Sequence, residues 1–356
     1  MATVAAVAVT GAAGAAAAPA LAVARGQVRP APCARIQIST FSTAQMAVTR
    51  NYWTPRRIAA AAMLGQPGAG KAPLPAVPAS QKPVAKITCG TALTVGHFSG
   101  APLAPKPPSG SRVGTTFAGY ENVGELFETN GSTLTPHCTA STISPPSGVA
   151  NPQGLQLLIM TSAHCVQWVS HGVAHPVTNL AFVPQFDSLG KNDQPFGLWV
   201  VNSFSVDVRW QRCASGCPPY DYAILVLQPN NGIQLGQIVG ANGWNLSEPR
   251  TVDSARLVGY PNAHIRPLLT FTKVVTVRES GQNYRRANST PSFTGGTSGG
   301  PFFASYDTKK HVGMLFGDIG GYQQGGYSAS PSYSPDWTSA FAQLVATAFA
   351  AEREQA

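Results

Sequence analysis

Residues 157–166 read LLIMTSAHCV, four apolar side chains followed by Thr161, Ser162, Ala163, His164 and Cys165. An apolar run of that length suits a buried strand and is short for a helix. His164 therefore stands at a strand edge, where a side chain can face a cleft while its backbone is held rigidly. A histidine so placed can take and return a proton, provided a nucleophile and an orienting carboxylate come to meet it. The rest of the chain decides whether they do.

The same texture runs outward from residue 112. Short β-branched and aromatic runs alternate with Gly, Pro, Asn and Ser, as in VGELFETNG (123–131), GLWVVNSFSVDV (197–208), YAILVLQP (222–229), ARLVGYP (255–261) and HVGMLFGDIG (311–320). Many short strands with frequent turn signals and no interleaved helices predict an all-β fold of sandwich or barrel type. The stretch 269–278 alternates, with Leu269, Phe271, Lys273, Val275 and Val277 on one side. GGYQQGGYSASPSYS (320–334) reads as a surface loop. The C-terminus departs from this texture. Ser334 can cap a helix, Pro335 suits its first position, and Asp336 suits its positive end. Trp337, Phe341, Leu344, Val345, Ala348 and Phe349 then fall at helical spacing, an apolar stripe that would dock on the β body.

Residues 1–110 differ in kind. They hold ten Lys or Arg and no Asp or Glu, whereas the remainder nets −1, so the net charge of +9 belongs to the leader. Pairs such as Arg285–Arg286 and Lys309–Lys310 read as solvated charges, and no nucleic-acid partner is expected. Residues 1–65 read as an Ala-rich low-complexity leader with two candidate export signals. One ends in AVA before Arg25, and the other follows Arg56–Arg57. The apolar runs there are too interrupted to build a core. Residues 66–111, rich in proline, read as a linker or propeptide ahead of a domain spanning 112–356. The near match GQPGAGKA (65–72) to a phosphate-cradling loop fails, because Ala72 replaces the required hydroxyl and Pro73 and Pro75 bar the following helix.

Two further segments carry chemistry. GGTSGGPFF (295–303) surrounds Ser298 with glycines, the residue most costly to order. A loop of this kind lets the N–H groups of Gly296 and Ser298 converge on a developing oxyanion. YDYAILVLQ places Asp221 before a strand. His171 and His175, in the polar loop VSHGVAH, are weaker candidates for the base. Asp207, in an alternating run, reads as an outward-facing carboxylate. Cys33 and Cys89 fall in the leader, and the body's four cysteines could make two bridges, with Cys213 and Cys217 flanking a three-residue turn. Zinc held by Cys138, Cys165 and His137 or His164 is conceivable, but no spacing fits a zinc pattern.

On these residues the chain resembles the chymotrypsin-like (trypsin-type) serine peptidase family, in its bacterial form. TSAHC matches the family's histidine motif, DYAILVL is similar to its aspartate motif, and GGTSGGP to its serine motif, in the order His, Asp, Ser. The resemblance implies two packed antiparallel Greek-key β-barrels with a C-terminal helix. It implies a secreted or extracytoplasmic serine endopeptidase acting through His164, Asp221 and Ser298, with the amides of Gly296 and Ser298 as the oxyanion hole. It pairs Cys138 with Cys165, and Cys213–Cys217 is expected as the second bridge. Protein or peptide substrates, no cofactor, no metal, no stable membrane insertion after processing and a monomer go with it. The alternative is a catalytically silent fold of the same type acting as a binding or cell-surface module. Thr297 stands where animal members carry Asp, so activation by an ion pair there is excluded. The resemblance places Ser292 at the floor of the substrate pocket. It places Phe316, Gly317 and Asp318 on the segment 313–318, whose edge would pair with substrate as an added strand.

Overall fold

In the computed structural model, residues 33–355 are described apart from 65–80, 94–98, 106–119, 132, 136, 188–192, 263–265, 291 and 327–329. Six antiparallel strands close the first barrel. In spatial order they are Thr178–Pro184, Val123–Asn130, Cys138–Thr142, Leu158–Thr161, Ala223–Leu227 and Trp199–Asp207, the last pairing back onto the first through Ala181 and Val200. Phe127, Phe182, Phe204, Ile224 and Leu225 on these strands are fully buried. Several of these strands are buried on both faces, because one face fills the barrel and the other lies beneath helices and loops.

The second sheet runs Ser332–Pro335, Gln282–Ala287, Leu268–Glu279, Thr251–Gly259, Pro301–Asp307, Val312–Asp318, Gly243–Asn245 and Ser99–Gly100. It curls around Ala255, Leu257, Val274, Phe302 and Phe316. A closed barrel beside a second curled sheet is the all-β, two-barrel architecture expected. In the long strand Leu268–Glu279, however, Thr272 and Val274 face the core, whereas Leu269 and Phe271 are 49% and 56% exposed. Apolar residues occupy both faces there, so a period of two could not say which face turns inward. Arg256 lies over the exposed Phe271 ring at 5.1 Å.

The leader differs most from the sequence expectation. Residues 33–64 are folded onto the first barrel. The strand Arg35–Thr40 pairs with Trp199–Asp207 on one side and with Val84–Cys89 on the other, and Cys33 is bonded to Cys89. The helix Thr43–Tyr52 starts on a reciprocal cap between Ser42 and Gln45, and Pro55–Ala62 starts on its proline. Ile36, Met46, Tyr52, Trp53 and Ile58 are buried, and Trp53 Nε1 donates to Asn179 O at 2.6 Å. Apolar residues this sparse complete a core that other strands have already begun. Of the proline-rich stretch, Val84–Cys89 and Ser99–Gly100 are strands of the two sheets. The AVA signal candidate and the GQPGAGKA loop lie outside the described residues.

At the C-terminus the helix is Ser339–Gln355 rather than a helix capped by Ser334. Ser332–Pro335, expected as the end of a surface loop, is a strand paired with Gln282–Ala287, its proline at the strand end. Trp337 lies ahead of the helix and stacks on Phe341 at 3.8 Å. Phe341, Leu344, Val345, Ala348 and Phe349 are buried as the stripe predicts, and Tyr222 from the first barrel meets Phe341 edge-on. A short helix, Leu235–Val239, also interrupts the β body.

Candidate active site

The strand Leu158–Thr161 runs into a single 3-10 turn, Ala163–Cys165, that carries His164. Its flanking residue is fixed covalently, since Cys165 is bonded to Cys138 on the neighbouring strand. The His164 side chain is 14% exposed, and its Nδ1 lies 2.8 Å from Asp221 Oδ2 and 3.0 Å from Oδ1. Asp221 itself is fully buried. It follows the 3-10 turn Pro218–Tyr220 and receives two further N–H donors, the amides of His164 (3.0 Å to Oδ1) and Gly321 (2.9 Å to Oδ2). A carboxylate with this many donors suits an acceptor-only group. The proton on Nδ1 then faces Asp221, and the Nε2 lone pair is left to act as a base.

The Ser298 loop is hung on Thr139, the residue after Cys138. Thr139 donates its amide to Ser298 O at 2.8 Å and its hydroxyl to Gly296 O at 2.9 Å. Gly299 donates to Ile319 O at 2.7 Å, Gly300 to Thr297 O at 2.8 Å, and Thr297 to Thr294 O at 3.2 Å. Among the described residues, the amides of Gly296 and Ser298 donate to no protein acceptor, so two unspent N–H groups flank the buried Thr297. The glycines prove to serve the loop's own packing. Gly296 (φ +95°) and Gly299 (φ +80°) have left-handed backbones. A side-chain carbon at Gly299 would overlap Thr161 Oγ1 and Thr139 O, and one at Gly296 would press on Tyr260 O and Asn262. Ser298 is partly exposed, and its hydroxyl makes no hydrogen bond among the described residues, to His164 or to any other acceptor.

The competing residues sort themselves. His171 sits in a turn, and His175 stacks on Trp168 at 4.0 Å within a hairpin of Gln167–Ser170 and Val173–Pro176, not in a strandless loop. Asp207, expected to face outward, is buried. It caps the turn Val208–Arg212 and pairs with Arg209. Arg285, expected as a solvated charge, is buried and pairs with Asp336 at 2.8 Å. Cys138, Cys165 and His164 bring their ligand atoms within 4.8 Å of one another, but both sulfurs are consumed by the disulfide and offer no thiolate. His137 lies elsewhere, donating Nε2–H to Tyr260 O at 2.9 Å, and burial pushes it down to about 4. The bridge Cys213–Cys217 is formed as expected.

The expected pocket residues do not line an open wall. Ser292 is exposed on a turn with φ +67°. Phe316 packs against Phe302, Gly317 lies under Ser334, and Asp318 is fully buried. The strand Val312–Asp318 pairs with Pro301–Asp307 along its length and with Gly243–Asn245 only at Met314 and Leu315. A cleft of about 560 Å³ lies between Pro218, Pro219 and Tyr220 on one side and Tyr284 and Tyr322 on the other, and neither His164, Asp221 nor Ser298 lines it. The sequence signal was the Pro-Pro-Tyr run directly ahead of Asp221, which motif reading passed over.

Residues 146–314 match the family model of the trypsin-like peptidase domain. No curated protein matches the chain. Among solved structures it is similar to protease Anisep from Arthrobacter nicotinovorans, at 23% identity over 66% of this chain and 98% of that one, with a TM-score of 0.52. It is also similar to the thermostable serine protease AL20 from an extremophilic microorganism, at 20% identity over 64% and 97%, with a TM-score of 0.50. Closed six-stranded barrel, curled partner sheet and structural likeness agree on the double-barrel fold of these proteases, with the match to the trypsin-like peptidase domain lying within it at residues 146–314.

Proposed function

We propose that the protein is a secreted serine endopeptidase whose catalytic residues are Ser298, His164 and Asp221. Ser298 Oγ attacks the peptide carbonyl while His164 Nε2 takes its proton. The amides of Gly296 and Ser298 receive the oxyanion, and His164 returns the proton to the leaving amine. Water then attacks the acyl-enzyme by the same path in reverse, releasing the second product and restoring the serine. Asp221 holds the ring's tautomer and balances the imidazolium. The observation that carries this reading is the buried Asp221 carboxylate set on Nδ1 of the partly exposed His164, with the glycine-bound serine loop tied through Thr139 to the strand that neighbours His164's own. Three disulfides among the described residues favour an oxidising, extracytoplasmic setting, and no helix among them is long and apolar enough to cross a membrane.

A fluorophosphonate probe tests the assignment. The wild-type chain should be labelled at Ser298 and should digest casein, and Ser298→Ala should do neither. Labelling that persists in Ser298→Ala would refute the nucleophile. A folded wild-type chain inert to both probe and casein would instead favour the silent binding module.

A further inference from the structure

The strand Val312–Asp318 ends on a carboxyl group that no cation meets among the described residues. Asp318 is 0% exposed. Its Oδ1 accepts from Trp337 Nε1 at 3.0 Å, and its Oδ2 lies 3.0 Å from Ser162 Oγ. Ser162 Oγ also lies 2.7 Å from Ile319 O, a carbonyl that can only accept. A hydroxyl has one proton to give. If Ser162 spends it on Asp318, two bare oxygens are left 2.7 Å apart. If Ser162 spends it on Ile319 O, the contact with Asp318 needs a proton on the acid. Only the second arrangement places one proton in each short contact.

The surroundings point the same way. Burial first, and the neighbouring Asp221 second, push the Asp318 carboxyl well above the usual carboxylate range. The ionisable groups around it are Asp221 with His164 from the first barrel and the buried Tyr222. The guanidinium groups of Arg209 and Arg285 are committed to Asp207 and Asp336. A side-chain carbon at Gly320 would sit 2.7 Å from Ser162 Oγ, 3.0 Å from Asp221 O and 3.1 Å from Asp318 Oδ2, so the space between them is closed.

We propose that Asp318 is a positioning residue of the candidate site, held as a neutral acid that donates to Ser162 Oγ and thereby fixes the Ser162–Ile319 tether between the barrels. The tether bears on the chemistry at both ends. Ser162 precedes His164 by two residues, and Ile319 precedes by two the Gly321 amide that donates to Asp221. The neutral acid also keeps a second anion away from Asp221. This inference rests on the reading of Ser298, His164 and Asp221 given above.

Asp318→Asn reproduces the neutral acid, with its N–H toward Ser162 and its oxygen toward Trp337. It should be labelled by the fluorophosphonate at pH 7 within about threefold of wild type, whereas Asp318→Leu, which strands both partners, should lose about tenfold or more. The wild-type acid binds a proton more tightly folded than unfolded, so its stability contribution falls as pH rises from the ordinary carboxylate range. The Tm of Asp318→Asn should therefore gain on wild type as pH rises from 5 to 7. A Tm difference that stays flat over that range overturns the neutral acid. So does an Asp318→Asn chain that does not fold, because its amide should replace the acid. An Asp318→Asn chain that folds but is labelled about thirtyfold more slowly overturns the positioning role. If wild type and Ser298→Ala are labelled alike, it is the nucleophile assignment that has failed. The positioning role then falls with it, while the Tm slope still decides the state of the acid.

Discussion

His164 gives Asp221 two hydrogen bonds from one residue, its ring Nδ1 at 2.8 Å and its own backbone amide at 3.0 Å. The carboxylate thus fixes the ring and the turn that carries it. Asp221→Asn would set an amide NH2 among three N–H donors, and the arrangement would be relieved only by moving the proton to the other ring nitrogen. On the proposed mechanism, the base lone pair would then be lost to Ser298. The expected loss in kcat, read on casein or a peptide ester, is on the order of 10³–10⁴ with the fold retained. A loss under tenfold would mean that Asp221 does not orient the base.

The glycines of the serine loop are unequal. At Gly299 the backbone is left-handed and an added Cβ would collide with Thr139 O and Thr161 Oγ1, both on barrel strands. At Gly295 the nearest atom to such a carbon is Asn262 Nδ2, at 3.3 Å, the movable end of a side chain. Gly299→Ala should therefore cost about 2 kcal/mol or more in stability and most of the labelling activity. Gly295→Ala should stay within about 0.5 kcal/mol of wild type. Denaturant melts of the two variants side by side check the contrast.

How much of this was legible in the sequence depends on whether a residue acts through its neighbours in the chain or across the fold. The motif around His164, the strand edge at Asp221 and the glycine-bound Ser298 could be read locally, because strand ends and turn residues announce themselves. The role of Thr139 in hanging the serine loop could not, since threonine in a strand is unremarkable until its partners 157 and 159 residues away are known. The strand Arg35–Thr40 was lost for a related reason. Its alternating RIQIST gains meaning only from pairing with Trp199–Asp207. Asp318 was read as a pocket residue because the resemblance fixed its position in the chain but not its burial behind Trp337 and Ser162.

The disulfides should separate stability from activity. Cys138–Cys165 closes a loop of sequence separation 27 and clamps the turn bearing His164, whereas Cys213–Cys217 closes only 4. On the chain-entropy account the first contributes about 3–4 kcal/mol and the second about 2 kcal/mol. Replacing Cys138 and Cys165 by alanine should lower both Tm and labelling rate. Replacing Cys213 and Cys217 should lower Tm less, and should chiefly raise KM for peptides if the adjoining cleft of Tyr220, Tyr284 and Tyr322 holds substrate. Equal effects of the two replacements on kcat would argue against the clamp at His164.

Glu352 gives the pH dependence its clearest direction. It sits on the C-terminal helix, 1% exposed, with Oε1 accepting the amide of Leu157 at 3.0 Å just ahead of the strand that leads to His164. Burial pushes its carboxyl up to about 8, opposed in part by the Leu157 hydrogen bond. The folded chain therefore holds this proton more tightly than the unfolded chain, whose carboxyl titrates at about 4.3. Stability from this group is fully present below that value and is lost as pH rises toward 8. Glu352→Gln keeps an acceptor for Leu157 and removes the titration. Its unfolding free energy should match or fall below wild type at pH 4 and exceed it at pH 8, a relative gain on the order of a few kcal/mol across that window. Urea melts at a series of pH values measure the difference directly, and a gain that appears instead on acidification would show that Glu352 is ionised in the native fold.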